Sequence, residues 1–222
     1  MHFDILTGHP SLFLGPMDAS ILGKAKEKEL FSYSLHNLHD YSGNKWGRID
    51  DTPYGGGAGM VIKCEPVFRA YEMLTKVRDY DEVIYMAADG DLLSQSTSNR
   101  ISLMDNVLII CGHYKGIDQR IRDSIITKEI SIGQYVLTGG ELPAMVLIDS
   151  VVRLIPGAIG DSESALTDSF MDGGLEPPIY TKPKEFRGMS VPDILLSGNH
   201  AAIEKWKEQV SEIKTKEKAN DK

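Results

Sequence analysis

The chain has 222 residues, of which 41% are hydrophobic and 25% charged, and this composition is ordinary for a globular protein. Its formal net charge of −8 has the wrong sign for binding nucleic acid through bulk electrostatics, so any RNA partner must be met by local patches such as Lys182, Lys184 and Arg187. The start of the chain lacks the pattern of a signal peptide, and no apolar run approaches the roughly 20 residues of a membrane helix, so we expect a cytoplasmic protein without a membrane partner.

Strand-like and helix-like segments alternate along most of the chain. Strands are predicted at 2–7, 31–35, 83–87 and 107–111, and helices at 18–29, 61–76, 94–104 and 141–155. Such alternation is typical of βαβ units, so we predict an α/β fold with a mainly parallel sheet. Cys64 and Cys111 form neither a CxxC pair nor a disulfide framework, and Cys111 is interpreted as a small buried residue at the end of a strand.

The most informative segment is the run EISIGQYVLTGGELPAM, residues 129–145. Its apolar part, residues 130–137, is predicted as a strand interrupted at Gly133, and Gly139 and Gly140 follow before a helix opens at Glu141. Glycine is favoured where the backbone takes a positive φ or lies against a group that a Cβ would block. The pattern fits a backbone wrapped around a ligand and, equally well, a strand-turn-helix corner.

Two other glycine-rich segments compete as ligand loops. Residues 55–59, GGGAG, are not a Rossmann fingerprint, because Met60 stands where the third glycine belongs, and no Gly-Lys-Ser/Thr follows to make a P-loop. Taken alone, this segment is interpreted as a surface loop. Residues 112–116, GHYKG, directly follow a predicted strand, which is where open α/β sheets bind ligands.

The composition changes after Pro156 and Gly157. Residues 158–176 are polar and contain several glycines, as a flexible linker does. Beyond a proline-rich stretch, a helix is predicted with Asn199 as its N-cap. Its apolar face carries Ile203, Trp206, Val210 and Ile213. We therefore divide the chain into residues 1–157, a linker 158–176, and a small, mostly helical C-terminal domain 177–222.

Four segments in this order resemble the motifs of the bacterial tRNA (guanine-N1)-methyltransferases, the TrmD type of the SPOUT superfamily. They are residues 51–60 (DTPYGGGAGM), 111–120 (CGHYKGIDQR), 129–145 and 191–203 (VPDILLSGNHAAI). The resemblance covers nearly the whole chain with the family's spacing. Four motifs in the same order are far more specific than any single glycine loop.

The resemblance implies a deep trefoil knot in the C-terminal part of the sheet, with S-adenosylmethionine bound there as the methyl donor. It also implies that main-chain groups at Ile132, Tyr135 and Leu137 hydrogen-bond the adenine and ribose, while nearby glycines leave room for the methionine arm. The donor-binding residues implied in this way are Gly112, Ile132, Gly133, Gln134, Tyr135, Val136, Leu137, Gly139 and Gly140.

Methylating N1 of guanine requires a base for the N1 proton and a group that holds the charge appearing on O6. In the family motif that reads ALTDSF here, the base maps onto Asp168, and the arginine partner maps onto Arg153. Without the resemblance, the preferred interpretation of Asp168 is a solvated linker carboxylate, and that of Arg153 is a charge favoured by the end of a helix.

The chain departs from the family pattern at several positions. His113 and Lys115 stand where many members have Arg and Glu, so no catalytic role is carried onto Lys115. Residues 87–90 read AADG where the family often has Ser-Pro-Gln-Gly.

The resemblance implies a knotted donor-binding domain (1–157), a linker that carries the catalytic aspartate (158–176) and a tRNA-binding domain (177–222). It implies a homodimer whose sites are shared between subunits, tRNA as the substrate, and a requirement for Mg²⁺, although no carboxylate cluster marks a metal site. The leading prediction is methyl transfer to N1 of the guanosine just 3′ of a tRNA anticodon. The alternatives are a SPOUT enzyme with another RNA nucleoside as target and an RNA-binding relative without catalysis.

Overall fold

The computed structural model describes residues 1–159 and 174–220. The chain forms two compact units, Met1–Ser162 and Glu163–Lys222. Asp168 and most of the predicted linker lie outside the described residues. No helix in the described part of the chain is long and apolar enough to cross a membrane.

The first unit is built around one parallel sheet of five strands in the order β2-β1-β6-β5-β7, which confirms the predicted α/β fold. A separate hairpin pairs β3 with β4 in antiparallel register. The strands of this unit are β1 (His2–Thr7), β2 (Ser32–Asn37), β3 (Asp50–Asp51), β4 (Val61–Ile62), β5 (Glu82–Leu92), β6 (Asn106–Cys111) and β7 (Lys128–Ser131).

Helices cover both faces of the sheet, and the inner strands β1 and β6 are therefore buried on both sides, whereas the edge strand β2 is only partly buried. Successive side chains of β6 alternate between the two cores: Ile109 belongs to one, and Ile110 belongs to the other. The helices are α1 (Ser20–Glu27), α2 (Cys64–Leu74), α3 (Gln95–Ile101), α4 (Gln119–Ser124) and α5 (Glu141–Val152), with 3₁₀ turns at Pro10–Phe13, Pro16–Asp18 and Leu38–Tyr41.

The last strand is shorter than the sequence predicts. β7 ends at Ser131, so the prediction of a strand through residue 137 is wrong. The Ser131 hydroxyl donates to the Gly133 carbonyl at 3.0 Å and accepts from the Gly133 N–H at 3.2 Å, which turns the chain out of the sheet. The apolar side chains beyond this turn line a cleft instead of extending the sheet.

Two other elements differ in their bounds. Residues 61–62 form a strand before α2 begins at Cys64, where one helix was predicted over 61–76. β5 runs on to Leu92, with a register shift between Met86 and Asp91. Gly90 makes this extension fit against β7, because a Cβ at Gly90 would lie 2.7 Å from the main-chain carbon of Glu129.

A buried carboxylate on β1 organises the edge of the sheet next to β2. Asp4 is 4% exposed, and its side chain lies 2.6 Å from Nε2 of His36 on β2. The Tyr80 hydroxyl donates to it at 2.7 Å and Nε of Arg78 at 3.1 Å. Burial by itself would raise the pKa of Asp4, but the hydrogen bonds from His2, His36 and Tyr80 outweigh that effect and hold the pKa well below its usual range.

In the second unit, the predicted C-terminal helix is confirmed together with its cap. The Asn199 side chain accepts a hydrogen bond from the Ala202 N–H at 3.2 Å, as an N-cap does. The helix bonds to the chain near Leu175, whose N–H donates to the Thr215 hydroxyl at 2.9 Å. The elements of this unit are β8 (Glu185–Phe186), β9 (Met189–Ser190), α6 (Asp193–Leu196) and α7 (His200–Asn220).

Candidate active site

The main cleft of the first unit opens at the carboxyl ends of three adjacent strands, β6, β5 and β7. This is the edge at which parallel sheets bind ligands. Its volume of about 330 Å³ lies within the range of small-molecule sites. The lining comes from residues 85–89 of β5, residues 112–117 after β6, and residues 130–133 and 135–140 at and beyond the end of β7, together with Arg122 and Pro143.

Close backbone packing joins two of these segments. The Gly140 N–H donates to the Gly112 carbonyl at 2.8 Å, and Gly139 pairs with His113. A Cβ at Gly140 would lie 3.0 Å from the Cα of Cys111 and from the nitrogen of Gly112, closer than ordinary packing allows. At Gly140 glycine is therefore favoured by the contact of one backbone with another, whereas a Cβ at Gly139 would meet the side chains of Glu141 and His113.

The segment between β7 and α5 forms the outer wall of the cleft. No hydrogen bond within the described ranges uses the main-chain groups of Val136 or Leu137, so these groups are available to a ligand. Tyr135 turns back, and its hydroxyl donates to the Ile132 carbonyl at 3.2 Å. All the donor-binding residues implied by the resemblance line the cleft except Gln134, which does not.

A buried carboxylate lies next to the cleft, at the start of α5. Glu141, the first residue of α5, is 2% exposed and accepts a hydrogen bond from the Thr7 hydroxyl at 2.7 Å. The N-terminus of a helix favours a negative charge at this position. Burial, with the Glu141 charge adding to it, raises the pKa of the Cys111 thiol, so Cys111 is a packing residue and not a nucleophile. The sequence analysis noted Glu141 only as the start of a helix.

Arg122, on α4, lines the cleft and forms hydrogen bonds to two strands of the sheet. Its guanidinium donates to Glu129 on β7 through Nε at 2.7 Å and to Asp89 on β5 at 2.9 Å. The hydrogen bond from Arg122 lowers the pKa of Asp89. The sequence analysis missed this residue, because its two partners are distant in sequence and no motif marks them.

His113 and Lys115 both line the cleft. The His113 ring lies 4.5 Å, between centroids, from that of His9 at the end of β1. The Lys115 N–H donates to the Met60 carbonyl at 3.0 Å, and its aliphatic stem lies across Gly59, where a Cβ would be 3.0 Å from Lys115 Cγ. The exposed glycine loop 55–59 is thereby attached to the rim of the cleft.

Comparison with known proteins shows the family. A family model described as "tRNA (Guanine-1)-methyltransferase TrmD" matches residues 1–222. The chain belongs to the TrmD family. In this TrmD-family chain, residues of segments 112–117 and 130–140, at and beyond the ends of β6 and β7, line the cleft.

Individual TrmD relatives are similar along their whole length. A protein from Christiangramia forsetii named tRNA (guanine-N(1)-)-methyltransferase is 54% identical over 97% of this chain and 96% of its own length. A protein of the same name from Flavobacterium psychrophilum is 51% identical over 100% of this chain and 98% of its own length. One from Chlorobium chlorochromatii is 52% identical over 93% of this chain and 90% of its own length.

Of the two residues to which the TrmD resemblance assigns proton chemistry, Arg153 is described by the structure and is not among the residues that line the cleft. Arg153 directly follows α5 and is half-buried. It lies on the same helix face as Leu142 and Val146, which are 54% and 47% exposed. Asp168 is outside the described residues. In the described ranges no group of His, Cys, Asp or Glu is arranged to hold a metal ion.

Proposed function

We propose that this TrmD-family chain transfers the methyl group of S-adenosylmethionine to N1 of the guanosine just 3′ of a tRNA anticodon. The observation that carries the proposal is the family match over residues 1–222. The cleft supports it, because the residues assigned to the donor converge at the carboxyl ends of three adjacent strands.

The donor fits the cleft by size and by the kind of groups exposed. A nucleoside needs hydrogen-bond partners for its polar edge and a flat apolar surface, and segment 132–137 offers free main-chain groups together with Ile132 and Leu137. Four glycines line the cleft, namely Gly112, Gly133, Gly139 and Gly140. A Cβ at any of them would meet protein atoms that form the wall of the cleft, so glycine allows the wall to pack closely around the donor. The tight packing of residues 139–140 on 111–113 supports the trefoil knot that we propose for this region.

In the reaction, the donor supplies an electrophilic methyl group. Asp168 accepts the proton from guanine N1, so that N1 gains an electron pair with which to form its new bond to carbon. Arg153 holds the negative charge that appears on O6. Because N1 is a far weaker acid than a carboxylic acid, the carboxylate alone is a poor base, and the cation at O6 makes up the difference.

We further propose that the site is completed by a second copy of the chain. The face of α5 that carries Arg153 also presents exposed Leu142 and Val146, and the neighbouring turn exposes Leu12 and Leu14. A contiguous apolar face of this kind favours a partner surface. Residues 1–157 would then bind the donor, 158–176 would carry Asp168, and 177–222 would bind tRNA.

The proposal is tested by transfer of a radiolabelled methyl group to unmodified tRNA transcripts that carry G or A after the anticodon. We expect label in the G transcript and only background in the A transcript. Label in both transcripts would favour a SPOUT enzyme with a different target nucleoside, and so would label found at another nucleoside after digestion of the RNA. The names of the relatives do not favour that alternative. Omitting Mg²⁺ and adding EDTA in the same assay tests the requirement for the ion.

Gly140→Ala tests the donor cleft separately from the chemistry. Its Cβ must push the backbone of residues 111–112 away, and we expect the dissociation constant for S-adenosylmethionine, measured by calorimetry, to rise on the order of tenfold. Circular dichroism and thermal unfolding show whether the variant is folded. A folded variant with unchanged donor affinity would place the donor elsewhere.

A further inference from the structure

One exposed tryptophan is held in a rigid loop. Trp46, in the loop between residues 42 and 49, is 79% exposed. The Asn44 side chain closes this loop: its oxygen accepts from the N–H groups of Trp46 and Arg48, each at 3.1 Å, and its nitrogen donates to the Arg48 carbonyl at 2.8 Å. His39 adds a bond from Nδ1 to the Gly47 carbonyl at 2.7 Å. The loop therefore presents the indole at little conformational cost.

This loop leads directly to the cleft. Asp50 on β3 pairs with Ile62 on β4, and Ile62 pairs in turn with Ile117, which lines the cleft. Two interstrand spacings separate Asp50 from Ile117, and four residues of chain separate Trp46 from Asp50. Trp46 therefore lies within about 25 Å of Ile117. A few nucleotides of single-stranded RNA span such a distance. Tyr54, at the tip of the same hairpin, is also fully exposed.

Two cations flank the indole, although the chain as a whole is acidic. Lys45 Nζ lies 4.6 Å from the centre of the Trp46 ring. Arg48 follows two residues later with its side chain 56% exposed, and its Nε lies 3.4 Å from the Asp50 carboxylate. An aromatic face beside cations is the arrangement with which proteins stack unpaired bases and contact the phosphates next to them.

We propose that Trp46 is a stacking platform for an unpaired nucleobase of the RNA whose guanosine enters the cleft. The inference rests on the proposed function and adds to it a residue that positions the substrate. Trp46 touches no reacting atom in this proposal. It increases the time that the RNA spends in register with the cleft and leaves donor binding untouched. A contact between copies of this chain is the competing use of an exposed indole, and the tests below separate the two.

The direct test uses tryptophan fluorescence, because the chain contains only two tryptophans, Trp46 and Trp206. In Trp206→Phe, Trp46 is the sole indole, and we expect unmodified tRNA transcript to quench its emission along the binding curve. In Trp46→Phe, Trp206 is the sole indole, and the emission reports on Trp206 alone. Saturating tRNA that leaves the emission of the Trp206→Phe variant unchanged would overturn the proposal.

The functional test compares Trp46→Ala with Trp46→Phe. We expect KM for tRNA to rise on the order of tenfold in Trp46→Ala, with partial recovery in Trp46→Phe, while the dissociation constant for S-adenosylmethionine stays at the wild-type value. Leu103→Ala is the matched control: Leu103 is 87% exposed but lies before β6, at the opposite end of the sheet from the cleft.

Each outcome has one meaning. An unchanged KM in Trp46→Ala, or an equal rise in Leu103→Ala, refutes the platform. A change of oligomeric state in Trp46→Ala, seen by sedimentation, assigns the indole to a contact between copies and also refutes it. If tRNA quenches Trp46 in Trp206→Phe but the wild-type protein transfers no methyl group to guanosine, the proposed function fails and the RNA-stacking role stands.

Discussion

Asp168→Asn is expected to lower kcat for methyl transfer to tRNA by about 10²–10⁴-fold, with an unchanged dissociation constant for S-adenosylmethionine. Asparagine keeps the size of the side chain and removes its capacity to accept the N1 proton. We expect donor affinity to be spared because the proposed role of Asp168 is to accept the N1 proton of the RNA, whereas the residues proposed to bind the donor line the cleft. Single-turnover transfer with saturating tRNA measures the chemical step, and calorimetry measures donor binding.

Asp172→Asn provides the control, since it makes the same change four residues along the same segment. An equal loss in both variants would point to the charge of the segment and not to a base at Asp168. Co-expression of Asp168→Asn with Arg153→Ala tests the shared site: if the two residues act across subunits, mixed dimers contain one intact site and regain activity. If both act within one chain, no mixture recovers.

The second large effect is on stability. Asp4→Ala should lower the free energy of unfolding by about 3–5 kcal/mol, because it leaves the buried donors of His36, Tyr80 and Arg78 without their shared acceptor. Urea unfolding followed by circular dichroism gives the value. Asp79→Ala removes an exposed carboxylate from the same segment as Arg78 and Tyr80, and should change stability by no more than about 0.5 kcal/mol.

The contribution of Asp4 to the free energy of unfolding should decrease at acidic pH. Its pKa is lower in the folded state than in the unfolded chain, so its contribution is complete above the unfolded value of about 3.9 and is lost as the pH falls through the folded value. The difference between wild type and Asp4→Ala should therefore be constant near neutrality and shrink below about pH 4. A difference that already vanished at pH 6 would contradict this assignment to the Asp4 carboxylate.

The sequence predicted the sheet well because its strands are buried on both faces and read as continuous apolar runs, as residues 107–111 do. It failed beyond Ser131 for the same reason. Residues 132–137 are as apolar as a strand, and only the hydrogen bonds between Ser131 and Gly133 reveal that the chain leaves the sheet there.

The candidate site was predicted where local sequence carries the information. Gly140 is visible in the sequence as a glycine, but the physical reason for it, contact with the backbone of residues 111–112, is a long-range one. Glu141 with Thr7, and Arg122 with Glu129 and Asp89, depend on partners brought together only by the fold. Arg153 and Asp168 came from resemblance alone, because a helix-end arginine and a linker aspartate have no physical signature of their own.

The attachment of the β3–β4 hairpin to the rim of the cleft has a thermodynamic consequence. Three main-chain hydrogen bonds join them, from Lys115 to Met60, from Ile62 to Gly116 and from Asp118 to Ile62. The hairpin and the rim therefore move as one body. If RNA displaces the hairpin, it changes the shape of the donor cleft, and the donor must alter the affinity for RNA by the same factor, since linkage between two binding equilibria is reciprocal.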